Sequence, residues 1–424
     1  MNKRLTDDVA VIILCGGEGK RLSPLTKSRC KPAVSFGGRY KLVDIPISHA
    51  LTSGLSEIFI IGQYLAKSLK QHVLRTYSNK FTNSILHFLV PEEEKGKIIW
   101  YKGTADAIRQ NLKKFRNSKA RYFLILSGDQ LYNINFSQMI YYAKQKQAGL
   151  VIASQPISEK DAYRMGVLKT DSKTDLILDF YEKPQTQNIL DQFKVCDSIE
   201  KPFLGSMGIY LFCREILFNL LLEDLREDFG QHLIQTQIKK DNAFSYLYDG
   251  YWADIGTIDS YYHANLELTK KPFPKSPGLS CHRNSNIIFN KHHHLPGAII
   301  SNSTLNQSLL CEGVVVDSCK INRSIVGVRT VVSKNSVIQD SIILGNDYYD
   351  YELNNSKSSY YLGIGPDCII NKTIVDENVR IGSGVRLVNQ KKIQHFDSPD
   401  GLFSVRDGII IVPKGTIIPN NYRF

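Results

Sequence analysis

Hydrophobic and polar positions along the chain divide it into two parts with different periods. Up to about residue 270, short apolar runs such as Val9–Cys15 and Glu57–Gly62 alternate with segments whose apolar residues are spaced for one helical face, as at 105–115. A chain that alternates strands and helices in this way builds a mostly parallel sheet covered by helices. The first part is therefore predicted to be an α/β, Rossmann-like, mostly parallel sheet.

Beyond residue 298 the hydrophobic period is six residues. A six-residue period fits neither a helix nor an ordinary strand, and it is typical of a parallel β-helix with one aliphatic side chain per face directed inward. We predict a C-terminal left-handed parallel β-helix of hexapeptide repeats; an irregular all-β domain with accidental spacing is the alternative. The repeating aliphatic positions are Ile299, Leu305, Leu309, Val315, Ile321, Val326, Val332, Ile338, Leu344, Ile369, Val375, Ile381 and Leu387.

Proline-rich and polar stretches mark the predicted boundaries. The segment 270–277 contains three prolines and reads as a linker, so we predict a first domain at 1–269, a linker at 270–284 and a second domain at 285–424. The charged segment 78–97 is predicted to be an irregular loop. The insertion 346–360, rich in tyrosine and charge, is predicted to protrude between coils, and the three histidines at 292–294 are predicted to lie in an exposed loop.

Composition narrows the class of protein. The chain of 424 residues carries 53 Lys and Arg against 41 Asp and Glu, a net charge of +12, without any dense basic run. This pattern favours attraction of small polyanions over nucleic acid binding. No apolar run has the length of a membrane span, and a first strand beginning at Val9 leaves no room for a secretory or transit peptide. Eight single cysteines indicate reduced thiols in a cytoplasm.

A glycine-rich turn after the first strand is the first candidate for chemistry. Gly16, Gly17 and Gly19 are followed by Arg21 and, later, Lys31. Glycines bring backbone N–H groups close to an anion, and the cations neutralise phosphate charge. The stretch matches neither GxxxxGK[ST] nor GxGxxG, so the two best-known phosphate loops are excluded.

Two carboxylates follow other predicted strands. Asp129 follows the apolar run 122–126, and Asp254 lies between a strand and the helix predicted at 258–268. The carboxyl ends of parallel strands are where α/β enzymes bind ligands, and carboxylates suit a hard cation that bridges phosphates. A turn or helix-capping role for Asp129 is the alternative.

The motifs together resemble one enzyme family over nearly the whole chain, from Val9 to Asn420. They resemble glucose-1-phosphate adenylyltransferases (ADP-glucose pyrophosphorylases), within the sugar-phosphate nucleotidylyltransferases, and NDYY at 346–349 resembles the plant and cyanobacterial branch. The motifs are GGxGxRLxPLT at 16–26, KPA at 31–33, WYKGTADAI at 100–108, SGDQLY at 127–132, FYEKP at 180–184, SMGIYLF at 206–212 and YWADIGT at 251–257.

The resemblance implies a role for each matching residue. Arg21, Lys31 and Asp129 are the implied catalytic residues, the first two gripping phosphates, and Asp129 and Asp254 are the implied Mg²⁺ ligands. Arg386 and Lys414 are the implied effector-binding residues. The implied nucleotide-binding residues are Leu14, Gly16, Gly17, Gly19, Gln63, Gly103 and Thr104. The implied contacts to glucose 1-phosphate are Tyr101, Gly166, Glu182, Lys183 and Ser206.

The activity implied by the resemblance is Mg²⁺-dependent synthesis of ADP-glucose and pyrophosphate from ATP and glucose 1-phosphate, for glycogen or starch. It implies a cytoplasmic homotetramer with neither nucleic acid nor membrane as partner. Small phosphorylated effectors are expected, with activation by 3-phosphoglycerate and inhibition by orthophosphate through Lys414. Two alternatives stay open: a nucleotidylyltransferase that uses UTP, dTTP or GTP, and a regulatory subunit with little activity. The presence of Arg21, Lys31, Asp129 and Asp254 favours a catalyst.

Overall fold

The chain folds into two compact units in a computed structural model. The structure describes residues 4–77, 85–94, 97–195, 200–240, 242–270, 279, 287–290, 294–350 and 360–424. The first unit comprises Met1–Gly17, Ile45–Trp252 and Arg283–Ile288, and the second comprises Glu18–Asp44, Ala253–His282 and Phe289–Phe424. The predicted boundaries at 269 and 285 stay a prediction, and nearly all of the predicted linker lies outside the described residues.

The first unit contains a mixed sheet of nine strands among its described residues. Val9–Cys15 lies at the centre because its run VAVIILC is apolar on both faces and is covered on both sides. Seven of the nine strands lie side by side in this order: Ile177–Glu182, Gly166–Thr170, Phe203–Cys213, Tyr122–Ser127, Val9–Cys15, Glu57–Gly62 and Ile85–Leu89.

The sheet has a parallel half and a half with antiparallel pairing. Tyr122–Ser127, Val9–Cys15 and the two strands beyond it pair in parallel. Phe203–Cys213 runs antiparallel to Tyr122–Ser127 and also pairs antiparallel with Leu150–Ile157, which in turn pairs in parallel with Ala243–Leu247. The parallel strands from Tyr122–Ser127 to Ile85–Leu89 therefore end at one edge of the sheet. The strand–helix alternation predicted a mostly parallel sheet, and this holds for that half alone, because Phe203–Cys213 pairs antiparallel and makes the sheet mixed.

Helices and short elements complete the chain outside the β-helix. The helices are Asp44–Thr52, Ala66–Tyr77, Thr104–Gln110, Leu112–Arg116, Phe136–Gln145, Glu159–Ala162, Gln187–Asp191, Arg214–Glu223, the π-helical Phe229–Leu233, Ile234–Ile238 and Ile258–Glu267. The 3₁₀ turns are Lys20–Leu22 and Lys31–Ala33. The short strands are Ser35–Phe36, Tyr40–Lys41, Glu93–Glu94, Lys97–Ile98, Gln130–Tyr132 and Trp252–Asp254.

The second unit contains the predicted parallel β-helix, which is built from three stacked sheets. The first sheet is Ile299–Ser301, Val315–Asp317, Val331–Val332, Gly363–Ile364, Arg380–Ile381 and Ile417–Ile418. The second is Thr304–Asn306, Lys320–Asn322, Val337–Gln339, Ile369–Asn371 and Arg386–Leu387. The third is Leu309–Leu310, Ile325–Val326, Ile342–Ile343, Thr373–Val375, Ile409–Val412, Ser404–Arg406 and Phe396–Asp397, of which the last two pair antiparallel.

The coils continue in register across the insertion at 346–360. Val331 pairs with Gly363 and Val337 pairs with Ile369, so the coils before and after the insertion are direct neighbours. The insertion therefore does not interrupt the stack. Residues 351–359, on which most of its predicted protrusion falls, lie outside the described residues.

The six-residue pattern needs correction at several positions. Val315 and Ile369 are partly exposed whereas their neighbours Val316 and Ile370 are fully buried, so the inward position in these two coils is one residue later than predicted. Ile299 and Leu305 remain 56% and 37% exposed. They belong to the first described coil, which has a stacked neighbour on one side only in each sheet, so fewer side chains cover them.

The segment predicted as an irregular loop contains strands. Ile85–Leu89 extends the central sheet by pairing in parallel with Glu57–Gly62, and Glu93–Glu94 pairs antiparallel with Lys97–Ile98. Because the segment 78–97 is charged as a whole, its apolar run ILHFL was not predicted to be a strand. Within this run Phe88 is partly buried and Leu89 is buried. Residues 78–84 and 95–96 lie outside the described residues, as do two of the three clustered histidines.

The predictions about cysteines and about membrane spans can be compared with the described part of the chain. Cys15, Cys30, Cys213, Cys311, Cys319 and Cys368 are free thiols, and all are buried or partly buried. No helix in the described ranges is long and apolar enough to cross a bilayer.

Candidate active site

The carboxyl ends of three neighbouring parallel strands bring part of the predicted nucleotide site together in the first unit. Leu14 lies near the end of the central strand, and its carbonyl oxygen accepts a hydrogen bond of 3.0 Å from the N–H of Gly128. This contact places the glycine-rich turn beside the turn that holds Asp129. On the other side, a Cβ built on Gly16 would lie 3.7 Å from the Cβ of Gln63. Leu14, Gly16, Gln63 and Asp129 thus share one edge of the sheet.

Asp129 occupies a tight connection between two strands. It lies between Tyr122–Ser127 and Gln130–Tyr132, so the helix-capping alternative is wrong and a turn position is correct. The hydroxyl of Ser127 donates a hydrogen bond to Oδ1 of Asp129, which orients the carboxylate. The side chain is partly exposed at the sheet edge. A structural turn and a ligand-facing carboxylate are both compatible with this position.

Gln63 joins this edge to the next predicted site residue. Its side-chain amide makes a two-way pairing with the backbone of Tyr101: Nε2 donates to the carbonyl oxygen at 3.2 Å, and Oε1 accepts from the N–H at 2.6 Å. The Tyr101 ring is buried, and its hydroxyl accepts from Nδ2 of Asn111 at 3.0 Å. Burial raises the pKa of Tyr101, so the phenol stays protonated and its O–H remains a hydrogen-bond donor.

Gly103 and Thr104 hold a neighbouring loop. A Cβ on Gly103 would lie 2.3 Å from the carbonyl oxygen of Glu227, so a larger side chain does not fit there. The Thr104 hydroxyl donates to Oδ2 of Asp228 at 3.1 Å and accepts from the N–H of Phe229 at 3.0 Å. Both residues therefore fix the loop before Phe229–Leu233; direct nucleotide contact by either stays a prediction.

Of the predicted sugar-phosphate residues, Gly166 and Lys183 lie next to Glu182, whereas Tyr101 pairs with Gln63. Gly166 and Glu182 are paired across two antiparallel strands, and a Cβ on Gly166 would approach Oε2 of Glu182 to 2.8 Å. A Cβ on Gly230 would come within 2.9 Å of the same oxygen. Two glycines on different segments therefore leave space for one carboxylate, and alanine at either position would require the end of the Glu182 side chain to shift. Gly230 was not among the predicted site residues, and its adjacency to Glu182 arises only from folding.

Lys183 borders the same carboxylate, and Ser206 is related to it through Tyr210. Lys183 Nζ lies 2.7 Å from Oε1 of Glu182, and the lysine side chain is 53% exposed. Its backbone adopts a left-handed conformation with φ of 51°, which is uncommon for a residue other than glycine and is often associated with function. Tyr210 lies near both Glu182 and Ser206, and burial raises its pKa far above the usual range. The group presents a carboxylate, an ammonium and two hydroxyls.

The basic continuation of the glycine-rich turn belongs to the second unit. Gly19 has φ of 67°, and a Cβ there would lie 2.9 Å from the Cβ of Lys31. The Thr26 hydroxyl donates to the carbonyl oxygen of Gly19 at 3.0 Å. Only a glycine in the left-handed conformation allows the turn to pack this closely on Lys31. The structure therefore brings Gly19 and Lys31 together, 12 residues apart in sequence.

Arg21 and Asp254 also meet within the second unit. A Cβ built on Gly256 would lie 3.0 Å from Oδ2 of Asp254 and 3.5 Å from Nη2 of Arg21. The guanidinium and the carboxylate therefore both border the small space left by Gly256. Both side chains are exposed, so a phosphate could reach them. This juxtaposition pairs two residues of the predicted site that stand more than 230 positions apart.

The two aspartates have the chemistry that Mg²⁺ requires. Among the residues that the structure describes, no group of three or more His, Cys, Asp or Glu side chains is placed to hold a metal ion by itself. Mg²⁺ is commonly bound by one or two carboxylates with nucleotide phosphates and water completing the shell. Asp129 in the first unit and Asp254 in the second each carry carboxylate oxygens of this kind, so their chemistry fits the metal that the resemblance implies, and their sharing of one metal ion stays a prediction.

The two predicted effector residues occupy different parts of the β-helix. Arg386 begins the strand Arg386–Leu387 and is exposed. Lys414 lies in the turn between Ile409–Val412 and Ile417–Ile418, where its Nζ lies 2.7 Å from Oε2 of Glu377 and 3.1 Å from Oδ2 of Asp347. Glu377 is not recognisable as a site residue from the sequence, because nothing in its local sequence shows that cations from elsewhere in the chain surround it.

The two parts of the chain match two described families. Residues 10–271 match the nucleotidyl transferase family, and residues 293–422 match the GLGC left-handed parallel β-helix domain. The first match covers more than half of the chain, and the pairing of the two domains is the architecture of the ADP-glucose pyrophosphorylase family. The α/β domain followed by a left-handed parallel β-helix, predicted from the two hydrophobic periods, is thereby confirmed. This chain belongs to the nucleotidyl transferase family.

Proposed function

We propose that this nucleotidyltransferase transfers the adenylyl group of ATP to α-D-glucose 1-phosphate, producing ADP-glucose and pyrophosphate. The arrangement of residues around Glu182 is the observation that most directly supports a sugar phosphate as substrate. Gly166 and Gly230 leave space for one carboxylate, and Lys183 stands next to it. A carboxylate accepts hydrogen bonds from sugar hydroxyls, while an exposed lysine suits a phosphate.

The reaction that these residues support is a direct displacement. An oxygen of the glucose 1-phosphate phosphate attacks the α-phosphorus of ATP, a new P–O bond forms, and the bond to the bridging oxygen of pyrophosphate breaks. Such a transfer needs positioning and charge stabilisation more than a protein nucleophile. Arg21 and Lys31 stabilise the negative charge that develops on the leaving pyrophosphate. The N–H groups of the glycine-rich turn bind the nucleotide phosphates, and Lys183 orients the attacking phosphate.

Asp129 and Asp254 would hold Mg²⁺ in this proposal. When bound, the metal would neutralise phosphate charge and polarise the phosphoryl oxygens. Within the chain itself, the Ser127 hydroxyl fixes the orientation of Asp129, and Gly256 keeps the space beside Asp254 and Arg21 open.

The identity of the nucleotide substrate is tested by measuring pyrophosphate release with ATP, UTP, dTTP and GTP, each with and without glucose 1-phosphate and Mg²⁺. We expect release only when ATP, glucose 1-phosphate and the metal are all present. A clear preference for UTP or dTTP would instead identify a different sugar-1-phosphate nucleotidyltransferase. Negligible release with every nucleotide would identify a regulatory subunit.

Replacing Lys183 distinguishes binding of glucose 1-phosphate from binding of ATP. Lys183→Gln should raise the KM for glucose 1-phosphate by about 10- to 100-fold, because a hydrogen bond to a charged group is worth roughly 1.5–3 kcal/mol. The KM for ATP should change far less. Steady-state kinetics with each substrate varied in turn measure the difference.

The matched control is Lys169→Gln, which removes the same charge from an exposed position on the neighbouring strand Gly166–Thr170. This control should behave as the wild type does. Equal increases in both KM values for Lys183→Gln would show that Lys183 has a structural role rather than a role in binding the sugar phosphate.

A further inference from the structure

Glu377 is a buried carboxylate that accepts hydrogen bonds from four side chains of the second unit. Its Oε2 accepts from Nη1 of Arg29 and from Nζ of Lys414, each at 2.7 Å. Its Oε1 accepts from Nζ of Lys41 and from the hydroxyl of Ser35. Only 7% of the Glu377 side chain is exposed. Three cations and a hydroxyl therefore converge on one small anion.

The donors and the carboxylate come from three separate segments of the second unit. Arg29 and Lys41 flank the 3₁₀ turn Lys31–Ala33, whereas Glu377 and Lys414 lie in turns of successive β-helix coils. The coil turns are also joined by the backbone, since the N–H of Gly415 donates to the carbonyl oxygen of Glu377 at 2.9 Å. We call Arg29, Lys41, Lys414 and Ser35 the Glu377 cluster.

The arrangement matches what a phosphate group requires. A bound phosphate accepts several charge-assisted hydrogen bonds from arginine and lysine side chains that surround it. Burial opposes ionisation of Glu377, but the attraction of Lys41, Arg29 and Lys414 outweighs it and holds the pKa of Glu377 well below its usual range. The carboxylate is therefore negatively charged at neutral pH and offsets part of the surrounding positive charge, while Asp376 and Asp347 also pair with Arg29 and Lys414.

We propose that the Glu377 carboxylate is a built-in anion, which occupies a site that would otherwise bind a phosphorylated ligand. The Glu377 cluster is a latent phosphate site, filled by the protein's own side chain. A phosphorylated metabolite reaches Lys414 in this site only by displacing Glu377, whose charge repels it. The predicted effector role of Lys414 stays a prediction, and it now requires that displacement.

The cluster also bears on the segment predicted to bind nucleotide phosphates. Arg29 precedes Lys31 by two residues, and Nη2 of Arg29 pairs with Oδ1 of the buried Asp376. Because the Glu377 carboxylate already supplies the anion, the cluster holds the segment from Arg29 to Lys31 in one conformation without a bound effector. This regulatory consequence rests on the proposed function, whereas occupancy of the cluster does not.

The test measures binding of inorganic phosphate and of 3-phosphoglycerate by calorimetry, and thermal unfolding with each, at constant ionic strength. Glu377→Gln keeps the side-chain shape and removes the charge. It should bind phosphate at least about ten-fold more tightly than the wild type, because a like charge in direct contact with the ligand is gone. Phosphate should also raise the Tm of Glu377→Gln much more than that of the wild type.

Two further variants test whether the gained phosphate affinity arises at the Glu377 cluster. Glu377→Gln combined with Lys414→Met should lose the gained affinity, since one of the three cations is missing. Glu312→Gln removes the same charge from a carboxylate of the second unit that lies 3.0 Å from Arg39 and is 38% exposed. It should bind phosphate no better than the wild type does.

Several outcomes would overturn the inference. The wild type binding phosphate as tightly as Glu377→Gln, with the binding lost in Lys414→Met, would show an open site. Equal weak binding by both proteins would show that removing Glu377 creates no phosphate site. If Glu377→Gln does not fold in dilute buffer, phosphate should restore folding by replacing the missing anion; failure to fold in phosphate as well contradicts the proposal. None of these measurements depends on catalytic activity, so they stand apart from the test of the proposed function.

Discussion

Replacing Asp129 by asparagine is expected to lower kcat by about 10²- to 10³-fold, the size of effect seen when one preorganised electrostatic contact to a transition state is removed. Asparagine keeps the shape of the side chain and can still accept the hydrogen bond from Ser127 through Oδ1. The substitution therefore removes the negative charge while leaving the turn after Tyr122–Ser127 intact. The Tm should stay close to that of the wild type, so lost activity would not reflect unfolding.

Asp161→Asn is the matched control for this experiment. Asp161 is exposed, and its Oδ2 accepts a hydrogen bond of 2.7 Å from the hydroxyl of Ser158, a contact like that between Ser127 and Asp129. Its replacement changes the same charge in the same unit but should leave kcat unchanged. If Asp129→Asn retains turnover within a few-fold of the wild type, Asp129 has only a turn role and the proposed metal site loses one of its two carboxylates.

Replacing Arg29 by methionine is expected to produce the largest loss of stability. Arg29 is 5% exposed in its side chain, and it pairs with both Asp376 and Glu377, which are equally buried. Its removal leaves the buried Asp376 without this guanidinium and Glu377 with Lys41 and Lys414 as its remaining cations, which costs about 3–5 kcal/mol in free energy of unfolding. Methionine has a similar length, so the loss reports the missing charge more than a cavity. Urea unfolding followed by circular dichroism measures it.

An exposed ion pair in the same unit supplies the comparison. Arg323 pairs with Asp340 but is 53% exposed, so water screens the pair. Arg323→Met should therefore change the free energy of unfolding by no more than about 1 kcal/mol. If Arg29→Met costs no more than this control, the buried ion pairs of Arg29 contribute little net stability.

The sequence predicted elements where a single local pattern dominated. The strands Glu57–Gly62 and Ile177–Glu182 occur with the bounds read from their apolar runs. The β-helix followed from a six-residue period that no other element produces. The strand Ile85–Leu89 was missed because polar and charged neighbours outweighed five residues of apolar character, and pairing with an adjacent strand supplied what local propensity did not.

Parts of the candidate site could also be proposed from the sequence alone. The glycine-rich turn, its two cations and the aspartate after a buried strand can be recognised along the chain because they follow apolar runs, and their roles stay predictions. Only one of the two glycines beside Glu182 could be predicted, since Gly166 lies on the neighbouring strand whereas Gly230 comes from the distant π-helical segment Phe229–Leu233.

The sequence by itself determined the two domain types, the run of buried strands and the residue types available for phosphate chemistry, since these depend on periodicity and composition along the chain. Only the tertiary structure decided which charges meet. Arg29 and Glu377 are separated by 348 positions, yet their side chains form a buried pair. Periodicity is a property of neighbours in sequence, whereas an ion pair depends on distance in space. That distance is set by the stacking of coils and turns that no local pattern encodes.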